Sequence, residues 1–177
     1  MRFRFIFIII AVLFSPYAMA QDDIRDKFKI ENSQVVWYEV FETSLQKDEI
    51  MSRLRSSGKA IDFTETENAA TCRLVPHKAD YKGAGFDRMS VALYVVNYTL
   101  EAYAQIQFKP GRYRVKVSNI TFTDTKRNIE GIEPYALTWT RDGFKSIFYD
   151  INAASVLDFD FHQIFSIPDT NTDEEDW

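Results

Sequence analysis

Cysteine is almost absent from this 177-residue chain: Cys72 stands alone, so no internal disulfide can form. Its neighbours, Ala69-Ala70-Thr71 and Arg73-Leu74-Val75, read as a strand, which makes a buried, inert thiol the expectation. Histidine is nearly as scarce, with only His77 and His162, and neither has a second histidine three or four residues away. A zinc site needs three or four ligands, and only Asp158, Asp160 and loop acids are on hand, so no metal is expected. Glycine-rich phosphate loops are lacking, because Gly83-Ala84-Gly85 has no third glycine and no following Lys-Ser or Lys-Thr. No Gly-x-Ser-x-Gly elbow frames a nucleophile. No cofactor motif, internal repeat or low-complexity tract is present. Positive charge is not in excess either: the formal net charge is −5, which disfavours nucleic acid as a partner.

Long apolar runs are missing except at the start. Met1-Arg2-Phe3-Arg4 carries two positive charges, Phe5 to Phe14 is apolar throughout, Ser15-Pro16 interrupts, and Ala18-Met19-Ala20 offers small residues to a signal peptidase. A charged start, a short apolar core and an A-x-A end mark residues 1–20 as a secretory signal peptide. Spanning a bilayer takes ~20 apolar residues, more than this run supplies, so no transmembrane span is expected after cleavage. Removing residues 1–20 from the 177 leaves 157, enough for one domain with a real core, and moves the charge from −5 to −7 as Arg2 and Arg4 leave. The organisation expected is a flexible lead-in over 21–34, a single domain over 35–168 and an acidic disordered tail over 169–177.

What the chain does have is aromatic and β-branched residues in strand patterns, among them 15 Phe and 9 Tyr. Val35 to Thr43 predicts a strand with Val36, Tyr38 and Val40 on one face. A helix follows over 45–57, with Ser44 as its N-cap, Asp48 and Glu49 early, Arg53 and Arg55 late, and Gly58 closing it. Short strands are expected at Ala60–Phe63 and Ala69–Pro76, then a loop over 77–90. Strand character resumes near Val91 with a break near Asn97.

The segment from Tyr98 to Val117 is the clearest. Leu100, Ala102, Ala104, Ile106 and Phe108 alternate with polar residues, Lys109-Pro110-Gly111-Arg112 turns, and Tyr113, Val115 and Val117 alternate again. This predicts Phe108 opposite Tyr113, Ile106 opposite Val115 and Ala104 opposite Val117, with Gln107 facing Arg114 and Gln105 facing Lys116. The apolar set then slips at Ser118-Asn119, which predicts a β-bulge. Residues 124–136 read as a loop, Leu137–Thr140 as a short edge strand before an Arg141-Asp142-Gly143 turn, and Ile147 onward as a helix ended by Pro168.

A Lys-x-Gly-Arg-Tyr-Arg turn with alternating Val and Ile, preceded by β–α–β elements and a signal peptide, resembles a family of uncharacterised exported bacterial proteins. That family is described as a domain of unknown function with a TATA-binding-protein-like fold. The resemblance rests on Gly111-Arg112-Tyr113-Arg114 and covers Val35 to Phe122. It implies an α+β fold, a curved antiparallel sheet with helices packed on one face. It implies no activity and no catalytic residues.

One polar stripe stands out against the acidic background: Arg112, Arg114 and Lys116 share a strand face with Gln105, Gln107 and Tyr103. Such a stripe suits an anionic glycan, a lipid headgroup or an acidic envelope protein. The alternative for the same residues is a solvated outer sheet face. Glu65 with Glu67 and Asp158 with Asp160 are acid pairs two apart. On a helix the latter would project ~200° apart and serve no common site. The sequence therefore reads as an exported, periplasmic or secreted, non-catalytic binding or structural module of the bacterial cell envelope. The alternative is an envelope hydrolase whose site is assembled from distant residues. Mass spectrometry of the exported protein is expected to give a chain beginning at Gln21. An intact Met1 in the exported fraction rejects the signal.

Overall fold

The computed structural model describes residues 27–32, 34–124, 129–132, 139–140, 143–144 and 151–169. The expected signal at 1–20, residues 21–26 of the lead-in, residues 170–177 of the tail and the Arg141-Asp142 part of the turn lie outside the described residues. In chain order the elements are β1 (Phe28–Glu31), β2 (Gln34–Glu42), α1 (Lys47–Ser56), β3 (Ala60–Glu65), β4 (Ala69–Leu74), α2 (Leu93–Asn97), β5 (Thr99–Lys109), β6 (Arg112–Asp124), β7 (Ile129–Ile132), β8 (Trp139–Thr140), β9 (Gly143–Phe144) and α3 (Ile151–Phe165). The strands form one antiparallel sheet in the order β1-β2-β6-β5-β4-β3, with β7 also on β6, while β8 and β9 pair separately.

The β5–β6 hairpin frames the sheet. Phe108 faces Tyr113, Ile106 faces Val115, Ala104 faces Val117, Gln107 faces Arg114 and Gln105 faces Lys116, the register the alternation predicts. Gly111 takes a positive φ of 75° in the turn, a conformation glycine adopts without steric cost. The expected bulge is present: Tyr103 pairs with Ser118 but Glu101 with Thr121, and Asn119 sits at φ 50°. The extra residue returns Ile120 and Phe122 to the buried side.

The sheet is curved and its helices lie on one face, an α+β fold. Val35, Trp37 and Phe41 of β2, the apolar residues of the hairpin, Ile50, Met51 and Leu54 of α1, and Val156, Leu157, Phe161 and Phe165 of α3 form one buried cluster. Trp37 and Phe161 meet with ring centroids 5.4 Å apart, and Tyr113 stacks on Phe41 at 5.0 Å. Cys72 is 3% exposed on β4, and burial pushes its thiol up to about 12, so it is an inert core residue.

Several expectations are corrected. Residues 28–31, read as flexible lead-in, form β1, because Phe28 buries against the core opposite Trp37. Helix α1 is capped by Gln46, not Ser44. Glu49 accepts the Gln46 backbone N–H at 2.9 Å, while Ser44 turns its N–H and hydroxyl to Asp169, each at 3.0 Å. Asp169, read as the start of the tail, is thereby anchored, and Thr43 donates to it at 2.5 Å. Those hydrogen bonds, Thr43 first, hold the Asp169 carboxyl below its ordinary value. Residues 93–97 form a short helix instead of strand, and residues 129–132 of the expected loop pair with β6.

A buried polar clamp ties the end of α3 to the sheet. The Tyr113 hydroxyl donates to the Phe165 carbonyl at 2.6 Å and accepts the Ile167 N–H at 3.3 Å. Burial pushes this phenol up to about 12, so it stays a donor across the physiological range. Tyr113→Phe leaves both backbone groups without that partner and is expected to cost about 1–3 kcal/mol in urea denaturation. An unchanged unfolding midpoint would show that the clamp carries no stability.

Candidate functional site

Side chains of the hairpin alternate, so the residues between the core positions all reach the uncovered side of the sheet. Arg112, Arg114, Lys116, Gln105 and Gln107 stand there, joined by Tyr38, Val40 and Glu42 of β2 and by Lys29 and Glu31 of β1. Val40 is 50% and Tyr103 52% exposed, so large apolar groups face solvent on this side.

The structure divides the stripe into unlike parts. Lys116 is paired with Glu31 at 2.6 Å, and the Tyr38 hydroxyl donates to the same carboxylate. Glu31 is held below its ordinary pKa by the Lys116 hydrogen bond first and Tyr38 second; Lys116 is correspondingly raised. Lys116, Lys29 and Arg114 also lie 5.5 to 5.9 Å from the Tyr38 ring centroid. Lys116 is thus committed to its neighbours.

Arg112, Arg114 and Gln107 instead line a shallow cleft of about 290 Å³ with Val40 and Lys109. Arg114 donates to the Gln107 side-chain oxygen at 2.6 Å, which sets the guanidinium along the cleft wall. Arg112 approaches Glu42 at 3.9 Å with both groups largely exposed, a contact of little strength. Gln105 falls outside this cleft, near Thr71, Arg73 and Tyr103. Sequence reasoning missed Lys109 and Val40. Lys109 continues the Gln105-Gln107 alternation but was absorbed into the turn, and the side of the sheet that Val40 occupies depends on how β2 pairs with β6.

Both histidines have carboxylate partners. His77 follows β4 in a cleft of about 440 Å³ that includes Lys59, Lys78, Asp80, Phe159 and Asp160. Its Nδ1 lies 2.7 Å from the Val75 carbonyl, which can only accept, so Nδ1 carries a proton. Its Nε2 lies 2.7 Å from Asp160, whose other oxygen accepts the Asp80 N–H at 3.2 Å. Burial lowers the His77 pKa, but the Asp160 hydrogen bond and charge outweigh it and leave it raised. Both ring nitrogens of His77 are thus engaged, Nδ1 by the Val75 carbonyl and Nε2 by the Asp160 carboxylate.

On the opposite flank of α3, Asp158 accepts the Trp37 indole N–H at 2.8 Å and meets Lys27 at 3.1 Å. Lys27 also reaches Glu39 at 2.9 Å, and Glu39 accepts from His162 Nδ1 at 3.0 Å. Burial lowers the Lys27 pKa, and the two carboxylates more than restore it. Asp158 and Asp160 therefore serve separate sites, as their helical spacing implies. Glu65 of the other pair is bound by Lys47 and Arg55. Among the described residues no hydroxyl or thiol side chain hydrogen-bonds either imidazole, and no group of three or more His, Cys, Asp or Glu is placed to hold a metal.

The His77–Asp160 pair has a measurable pH signature. Because the folded pKa is raised above 6.5, its stabilisation is fully present below that value and fades as pH rises through the folded pKa. An NMR titration of His77 is expected to give a midpoint above 6.5. The stability advantage over His77→Gln is expected to shrink toward alkaline pH. A midpoint at or below 6.5 contradicts the ion pair.

No protein-family model matches the sequence, and no curated protein matches it. Among solved structures, the chain is similar to a TBP-like protein from Parabacteroides distasonis ATCC 8503. The TM-score is 0.47 at 12% identity, over 78% of this chain and 94% of that one. It is also similar to a DUF4468 family protein from Bacteroides ovatus ATCC 8483, with a TM-score of 0.43 at 14% identity, over 82% of this chain and 94% of that one.

Proposed function

We propose that this chain is an exported, non-catalytic binding module of the bacterial cell envelope that takes anionic groups into the cleft on the open side of its sheet. The observation that carries this reading is the cleft itself, where Lys109, Arg112 and Arg114 converge beside the Gln107 amide and the half-exposed Val40. Two guanidinium groups and an ammonium suit a carboxylate or a phosphate ester, and an apolar wall strengthens the contact by lowering the local dielectric. The signal at 1–20 supports placement outside the cytoplasm, in the periplasm or beyond. No helix among the described residues is long and apolar enough to cross a membrane.

A second reading, an envelope hydrolase, draws on His162. Glu39 orients its Nδ1 and the ring is half exposed, as a general base requires. The binding reading places His162 outside the function, so His162→Gln leaves probe binding unchanged.

The test uses three probes: phosphatidylglycerol vesicles, polygalacturonate and polyglutamate, each at low and high salt. Wild type is expected to retain at least one of them, more weakly as salt screens the exposed charges. Lys109→Glu with Arg112→Glu and Arg114→Glu is expected to lose it while remaining folded, since exposed substitutions cost within about 0.5 kcal/mol each. Equal retention by both proteins rejects the cleft as the binding site.

A further inference from the structure

The cleft around His77 shares no residue with the Lys109–Arg112–Arg114 cleft. Three segments bound it: Gly58-Lys59 leading into β3, Val75 to Asp80 after β4, and Phe159 to Ile164 of α3. Their backbones are tied together. The Val75 N–H donates to the Lys59 carbonyl at 2.9 Å, and His77 exchanges two backbone hydrogen bonds with Leu100, at 3.2 and 2.7 Å. The His77–Asp160 contact closes the frame on α3. A Cβ at Gly83 would come within 2.8 Å of the Phe159 ring, so the turn after Asp80 backs that wall. Walls fixed in this way spare a ligand part of the cost of ordering them. The volume of about 440 Å³ falls within the roughly 300–1,000 Å³ of small-molecule sites.

The polar groups of this cleft differ in what they leave over. Asp160 is 6% exposed, and its two oxygens take the His77 ring and the Asp80 N–H. Asp80 is turned to the Gly83 N–H at 2.9 Å. The cations are steered but not used up. Lys59 donates to the Gln163 carbonyl at 3.2 Å and Lys78 to the Asn97 carbonyl, each a single bond from a group with three donors. Gln163 adds an exposed side-chain amide. Donors are therefore in surplus at the rim, while Val75, Phe159 and Ile164 supply apolar surface. With His77 protonated, three cations meet two carboxylates, and a monoanion balances them.

We propose that this cleft binds a small organic carboxylate, its acid group on the Lys59 and Lys78 donors and its apolar body against Val75, Phe159 and Ile164. A carboxylate accepts from several donors at once and forms the stronger, charge-assisted kind of hydrogen bond. An amine finds the acceptors already engaged, and a neutral alcohol leaves the charge unbalanced. The site is a second one, independent of the anion cleft on the open side of the sheet.

The experiment titrates the exported chain with 2-naphthoate, and with the alcohol and the amine that carry the same ring system, following backbone amide shifts by NMR. Naphthoate is expected to give saturable shifts at Lys59, His77, Lys78 and Gln163. Its affinity is expected to exceed that of the alcohol by roughly tenfold, about the worth of one charge-assisted hydrogen bond, with the amine weakest. Lys59→Gln/Lys78→Gln is expected to bring naphthoate down to the level of the alcohol and leave the alcohol unchanged. Gln163→Trp, on an exposed position of α3, is expected to fill the cleft and abolish saturable shifts from all three compounds. Lys109→Glu/Arg112→Glu/Arg114→Glu is expected to keep naphthoate binding, which separates this site from the anion cleft. The proposal is overturned by naphthoate shifts confined to other residues, by equal affinity for the three compounds, by no saturable shift at all, or by full naphthoate affinity in the double lysine variant. Should Gln163→Trp fail to fold, the lysine variant, whose two changes are both exposed, decides alone.

Discussion

The packing of α3 across the sheet is the contact on which the other features depend. Its apolar stripe buries Leu157, Phe161 and Phe165 against Trp37, Phe41 and Tyr113 and so covers one face of the hairpin, while Val40 and Tyr103 on the other face stay half exposed. Removing a buried aromatic such as Phe161 costs about 3–5 kcal/mol in typical cores, comparable to much of a domain's net stability. The Tyr113 clamp then fixes where the helix ends, and that end point delivers Asp169 to Thr43 and Ser44.

Polar groups on the flanks of α3 set its rotation. Asp158 draws Lys27 and the Trp37 indole to one side, and Asp160 draws His77 and the Asp80 backbone to the other. Each acid is partly or wholly buried and answered by donors, as buried carboxylates must be. The same contacts engage both ring nitrogens of His77. The His77–Asp160 pair, which resembles a catalytic dyad in composition, also ties the helix to the segment after β4.

The open face of the sheet has the opposite character. Its cations are spread along edge and hairpin strands, and only part of the stripe is available to a ligand, because Glu31 and Tyr38 engage Lys116. Strand polarity concentrates Lys109, Arg112 and Arg114 at the turn, where side chains from two strands converge beside Val40. A basic cleft in an acidic chain is thus a product of local pairing and not of net charge.

Local periodicity made the hairpin legible in the sequence. A period-two pattern admits one register with Ile106 opposite Val115, and the slip at Ser118-Asn119 required a bulge, so both follow from side-chain facing alone. The burial of Cys72, the acidic first turn and basic last turn of α1, and the separation of Asp158 from Asp160 were legible for the same reason. Tertiary structure alone decided what depends on contacts remote in sequence. Phe28 became part of a strand because Trp37 offered a partner, Ser44 gave up its cap because Asp169 lay within reach, and the two histidines met their carboxylates across 83 and 123 residues. The cleft belongs to this second group: Val40 joins Arg112 and Arg114 only through the β2–β6 pairing, which no short-range pattern encodes.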